Sequence, residues 1–261
     1  MNLTPLDLIP LWCFFPLLFV IGIVTLECGY RFGKWRRLKV SEEKEAPVAA
    51  MVAAILGLLA FILAFTFSMA ASRFDARRHA VLEEANAIGT TYLRTGLLPE
   101  PQRSEIARRL RRYTEVRTQS ISTANIAESI AQSEELHKQL WTLALEAAER
   151  DRSSIMTGLF LQSLNETIDL HAKRLFVGLQ SRIPITIWMT LFILTLLGLV
   201  SVGYQAGLSA TQRSPEMVIL TLAFAGVLFL IVDLDRAHEG LLKVNQQPMI
   251  DLLRTMERVP E

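Results

Sequence analysis

Four ionisable residues stand apart because they close uncharged runs: Glu27 follows residues 8–26, while Asp233, Asp235 and Arg236 follow residues 217–232. At the edge of an apolar helix such groups line a water-filled interior, anchor the helix end, or pair with a neighbour. Glu27 precedes Arg31 and Lys34 by one or two helical turns, so local pairing competes with ion handling. For Asp233, Asp235 and Arg236 the competing roles are an anchor and cap on one hand, and an ion path or subunit contact on the other. The cluster Arg108, Arg109, Arg111 and Arg112 has the chemistry of a headgroup or nucleic-acid patch. Glu105 and Glu115 lie three or four residues from its members, which favours a locally paired, solvated helix face. None of the four histidines has HExxH or paired-ligand spacing, and His79, His137 and His171 read as surface or packing residues of helices. Cys13 and Cys28 read as small packing residues of the first apolar segment rather than a disulfide or zinc pair. With no nucleophile elbow, phosphate loop, metal-ligand pair or haem-attachment motif, we assign no enzyme activity, no cofactor, and no catalytic or metal-binding residue.

The elements that position these groups follow from where charge is missing. Residues 8–26, 46–72, 183–212 and 217–232 contain no Asp, Glu, Lys or Arg. Each is about as long as the roughly 20 residues with which a helix crosses a bilayer. Lipid offers no partner for backbone N–H and C=O groups, so isolated spans of this kind must be helices. The chain therefore reads as an all-α integral membrane protein with lipid as its first partner. Its 26 acidic and 27 basic residues nearly cancel, which argues against a nucleic-acid binder, and they concentrate between residues 71 and 184, a solvated insert.

The boundaries expected are a first transmembrane helix at 1–30, a basic loop at 31–45, a second transmembrane helix with a stem at 46–96, and a soluble helical insert at 97–182. A third transmembrane helix with a turn at 183–212, a fourth at 213–236 and a tail at 237–261 complete the chain. The first run has no Lys or Arg ahead of it and carries Asp7, so it reads as a retained span rather than a cleaved signal. Pro5, Pro10 and Pro16 predict an irregular entry, and Trp12, Phe14 and Phe15 a position near one headgroup layer. Along the second span Ala49, Ala53, Gly57, Ala60 and Ala64 form a narrow small-residue face suited to close helix contact, and Phe61, Phe65 and Met69 lie on the other side. Between Ala71 and Leu93 only Gly89 weakens the helix, which predicts one continuous stem of roughly 45 residues, near 70 Å. LLPEP at 97–101 ends it.

Helical spacing continues through the insert in Ile106, Leu110, Tyr113 and Val116, in Leu140 and Ala144, and in Leu161, Leu164, Ile168, Leu175 and Leu179, with a bend expected at the polar SISTAN of 120–125. Trp188 and Tyr204 suit interfacial belts at the two ends of the third span. Four spans place both termini on one side. The charge rule divides, because Arg31, Lys34, Arg36, Arg37, Lys39 and Lys44 oppose Arg73, Arg77, Arg78, Lys173, Arg174 and Arg182 across the membrane.

The run LAFTFSMAASRFDARRHAVLEEANAIGTTYLR at 63–94 with LLPEP after it, and DLDRAHEG at 233–240 with NQQP beyond, resemble the recurrent blocks of the bestrophin-like family of mainly bacterial membrane proteins. The resemblance spans nearly the whole chain, with the spans in the same order. Bestrophins proper are oligomeric anion channels with four spans per subunit, a helical cytosolic portion and a pore lined by the second span. The resemblance thus implies a homo-oligomer, pentamer or tetramer by analogy, in the bacterial cytoplasmic membrane with the insert in the cytoplasm. It implies a pore lined by the second span, with Phe61 and Phe65 as a hydrophobic constriction and Ser68, Ser72 and Asp75 continuing that face. No bestrophin calcium-binding acidic cluster or filter motif can be matched, so the permeant ion is not implied. The alternative reading is a membrane sensor or signalling accessory, with the helical bundle as sensing domain and an output supplied by a partner.

Overall fold

The computed structural model describes residues 9–39, 45–119, 126–209, 215–236 and 240–258. Pro5, Asp7, Lys44, the expected bend at 120–125, Arg213 with the rest of 210–214, and 237–239 of the second family block lie outside the described residues. Among the described residues every regular element is helical: α1 (Leu11–Lys39), α2 (Glu45–Arg94), α3 (Gln102–Gln119), α4 (Ile126–Arg150), α5 (Ile155–Leu175), α6 (Ile185–Leu208), α7 (Pro215–Asp235) and α8 (Gln247–Arg258). A short 3-10 turn follows α2 and a π turn, Phe176–Gln180, follows α5. Four helical stretches, Leu11–Lys39, Pro47–Leu97, Ile155–Leu208 and Pro215–Asp235, are long and apolar enough to cross a membrane. The second helix is unbroken over 50 residues, about 75 Å.

The chain divides into two compact units, Met1–Arg73 with Arg182–Leu242, and Phe74–Ser181 with Lys243–Glu261. In the first, α1 and α6 meet backbone to backbone. A Cβ placed on Gly29 or Gly33 would lie 2.2 Å from the carbonyl oxygen of Val200 or Tyr204, and one on Gly203 would lie 2.1 Å from that of Leu26. Gly207 faces Tyr30 in the same way, so two GxxxG pairs, Gly29 with Gly33 and Gly203 with Gly207, form one zipper.

The small-residue face of α2 makes no such close contact among the described residues. Ala53, Gly57, Ala60 and Ala64 are exposed, and a Cβ on Gly57 would meet nothing within 4 Å among the described residues. The buried stripe of α2 is Val52, Leu59, Leu63, Thr66 and Ala70. Because α2 is apolar on every side and lipid is as apolar as a leucine, composition does not select the inward face; shape does.

Two expectations change once the helices are packed. The segment 31–39 is not a loop but the end of α1, held by the glycine zipper as far as Gly33. Arg36, Arg37 and Lys39 occupy its last turn, where positive charge is favoured by the helix dipole. Lys39 Nζ also lies 4.4 Å from the centre of the Trp35 ring. Trp188 is buried and stacked on Phe192, with ring centres 5.6 Å apart, so it packs the core of the unit instead of marking a headgroup belt. Phe14 is buried as well, while Trp12 is exposed.

The second unit is a helical bundle. Ile106, Leu110, Leu140, Ala144, Phe160 and Leu164 form one buried cluster, joining α3, α4 and α5. Val81, Ala85, Ile88 and Tyr113 form another with Met249 and Met256 of α8. The tail thus ends in an amphipathic helix packed into this bundle, which the sequence reading left without structure. Arg108 and Arg109 both pair with Glu105, and Arg112 with Glu115, so the arginine cluster is locally neutralised. Arg111 donates to the Tyr92 hydroxyl at 2.7 Å.

Candidate functional site

Phe61, Phe65, Ser68 and Ser72 recur at i, i+4, i+7 and i+11, which puts them on one face of α2. All four are exposed, Phe61 by 66% and Phe65 by 59%. This face lies opposite the buried stripe and adjoins the small residues, so the aromatic and small sets make one broad uncovered surface rather than two opposed ones. Asp75, one turn further and already in the second unit, is exposed and lies 3.5 Å from Arg78.

The edge charges sit in a different environment. Glu27 accepts a hydrogen bond from Arg31 Nε at 2.8 Å. Asp233 is buried and accepts from the backbone N–H groups of Leu241 and Leu242, at 2.7 and 3.2 Å, fastening the chain where it leaves α7. Asp235 accepts from the Ile183 N–H at 3.0 Å at the entrance to α6, and Arg182 donates to the Asp235 carbonyl at 2.7 Å. Arg236 donates to the Ile9 carbonyl at 2.6 Å. The three residues thus tie helix ends and connections together within the first unit. Replacing Asp233 by Ala leaves two backbone donors without their acceptor, so Asp233→Ala is expected to lower stability by about 1–3 kcal/mol. Asp233→Asn, which keeps one carbonyl acceptor, should lose less; thermal melting of the purified full-length protein in detergent measures both.

Sequence reading missed the densest polar group of the second unit. Glu84 is fully buried, and its Oε1 accepts from Tyr113 Oη at 2.7 Å and Arg117 Nε at 2.9 Å. Oε2 accepts from Arg117 and Arg174, and Arg174 also donates to Gln246 at 2.7 Å. His171 Nδ1 hydrogen-bonds Tyr113 Oη at 3.1 Å and lies 3.6 Å from Glu84 Oε1, too far for a direct hydrogen bond but within reach of its charge. Burial opposes ionisation of Glu84, yet His171, Arg117 and Arg174 together hold its carboxyl well below the usual carboxylate range. Burial pushes the Tyr113 phenol up, and Glu84 pushes it further. The available signal was a carboxylate on the apolar stripe Val81, Ala85 and Ile88, where an unpaired charge would not be tolerated.

The family signature of the bestrophin-like domain matches residues 19–249. The chain belongs to the bestrophin-like family. Crystal structures of a bacterial bestrophin homologue from Klebsiella pneumoniae share its fold. The one solved by Zn-SAD phasing superposes with a TM-score of 0.60 at 17% identity, covering 94% of each chain. Two single-residue variants of that homologue give TM-scores of 0.64 and 0.62 at 14% and 16% identity, each covering 95% of this chain and 96% and 98% of theirs. None of the curated proteins matches the chain. The bestrophin-like match includes Glu27, the uncovered face of α2, the Glu84 cluster and Asp233 to Arg236, and ends at Met249, the first buried methionine of α8.

Proposed function

We propose that copies of this bestrophin-like chain assemble around a shared axis into an ion channel in the bacterial cytoplasmic membrane, with the pore lined by α2. Phe61 and Phe65 form a hydrophobic constriction, Ser68, Ser72 and Asp75 continue the path, and the helical insert lies in the cytoplasm. The observation that carries this reading is the uncovered aromatic and hydroxyl face of α2, opposite a stripe that is buried within the chain. Closed cyclic symmetry would bring several such faces together. The adjoining Ala53, Gly57, Ala60 and Ala64 would let neighbouring helices approach closely. Phenylalanine rings facing an axis would control passage by excluding water. Membership of the bestrophin-like family supports a channel.

Purified protein in planar bilayers should pass current, and Phe61→Ala should raise conductance or open probability several-fold. Native mass spectrometry should show a closed oligomer, with a pentamer or tetramer expected. Silent bilayers from a well-formed oligomer would reject the proposal, and would turn attention to a sensor that signals through a partner.

A further inference from the structure

The Glu84 cluster gathers side chains from four helices, and His137 is the contribution of α4. Its ring meets that of Tyr113 at 4.7 Å and lies perpendicular to that of His171 at 4.8 Å, between centres. Neither His137 Nε2 nor His171 Nε2 has a hydrogen-bond partner among the described residues, although both atoms are buried. The charged and titratable groups that face His137 are Glu84 from α2, Tyr113 and Arg117 from α3, and His171 from α5, with Arg174 of α5 paired to the same Glu84 and Arg77 two turns before it on α2. Glu134 and Lys138, the neighbours of His137 on α4 itself, are exposed.

The one carboxylate of Glu84 already faces the two guanidiniums of Arg117 and Arg174, leaving a local surplus of positive charge. A proton on His137 would add a further positive charge against the ring of His171, in a site where the buried His137 Nε2 has no hydrogen-bond partner among the described residues. Burying that charge is costly, and release of α4 from its neighbours relieves the cost by letting water reach the ring. We propose that His137 is a proton-binding site through which acidification releases α4 from α3 and α5.

The sign follows from the two environments. Burial, then His171, holds the imidazole down to about 4, against an ordinary value of 6.5. Between those values the released state binds more protons than the packed one, so packing of α4 weakens as pH falls through that window and is unaffected by His137 above it. The apolar contacts of Leu140, Ala144 and Ala147 hold α4 in place at neutral pH.

Hydrogen exchange of the full-length protein in detergent, corrected for intrinsic rates, tests this. The opening constant of α4 amides should rise by roughly tenfold between pH 6.5 and pH 5, as uptake of one proton requires. Amides of α1 and α6 should show no such dependence. His137→Phe keeps the ring contacts and His137→Gln keeps a polar group, and both should flatten the response. A flat response in the wild-type protein, or an unchanged one in whichever variant folds, would overturn the inference. So would protection of α4 by Zn²⁺ ions in wild type but not in the variants, which would make the two Nε2 atoms metal ligands. Exchange is read whether or not the protein conducts, so silent bilayers leave this inference standing.

Discussion

Gly203→Ala is expected to cost about 3 kcal/mol or more in stability of the first unit, at or beyond the upper end of ordinary overpacking. The new methyl group would sit 2.1 Å from the carbonyl oxygen of Leu26 and 2.9 Å from the amide nitrogen of Tyr30. Both are backbone atoms of a helix and cannot rotate aside, so α1 and α6 must separate along the zipper. In lipid, where close packing rather than hydrophobic exclusion joins helices, that separation removes the contact itself. Gly226→Ala is the control. A Cβ there meets nothing within 4 Å among the described residues, and alanine is the better helix former, so its melting midpoint should stay level or rise. Equal midpoints for the two variants in detergent would show that the α1–α6 zipper contributes nothing.

The second large effect is expected at Glu84. Glu84→Gln keeps the shape of the side chain but leaves Arg117 and Arg174 facing one another without their shared anion, a loss of about 3–5 kcal/mol for a buried pair broken on one side. Adding Arg117→Met should restore part of that loss, because the uncompensated charge is then removed, and the two changes should be clearly non-additive. The pH dependence separates this effect from packing. Since the carboxyl is held below its ordinary range, its stabilisation is fully present above the unfolded value of about 4.5 and is lost as pH falls below it. Wild-type protein should lose protection of α3 and α5 in that acid range, by hydrogen exchange, while Glu84→Gln should start lower and show little further change. Acid therefore acts on the bundle twice, first through His137 between about 6.5 and 4 and then through Glu84 below about 4.5.

Some of this was readable along the chain and some was not. The length of α2 was legible because few breakers interrupt it, and the apolar spacing of Ile106, Leu110, Tyr113 and Val116 announced a face that is indeed buried. Trp188 was misread because tryptophan serves a headgroup belt and a helix core equally well, and only its stack on Phe192 separates the two. His137 and His171 read as packing residues, and they do pack; their link to Glu84 depends on residues far apart in sequence. The four glycines of the zipper are as unremarkable in sequence as Gly57, where an added Cβ would meet nothing within 4 Å among the described residues.

By itself the sequence determined that this is a four-span, all-helical membrane protein with a charged helical insert and bestrophin-like motifs. Those properties depend on composition counted along the chain: a backbone without water must bond to itself, and a charged stretch cannot stay in lipid. Only the tertiary structure decided which face of α2 is covered, which glycines bring helices into contact, and which buried charges answer one another. Lipid and apolar side chains are chemically alike, so the choice among faces falls to shape, and a buried charge is tolerated only where folding brings its partner alongside.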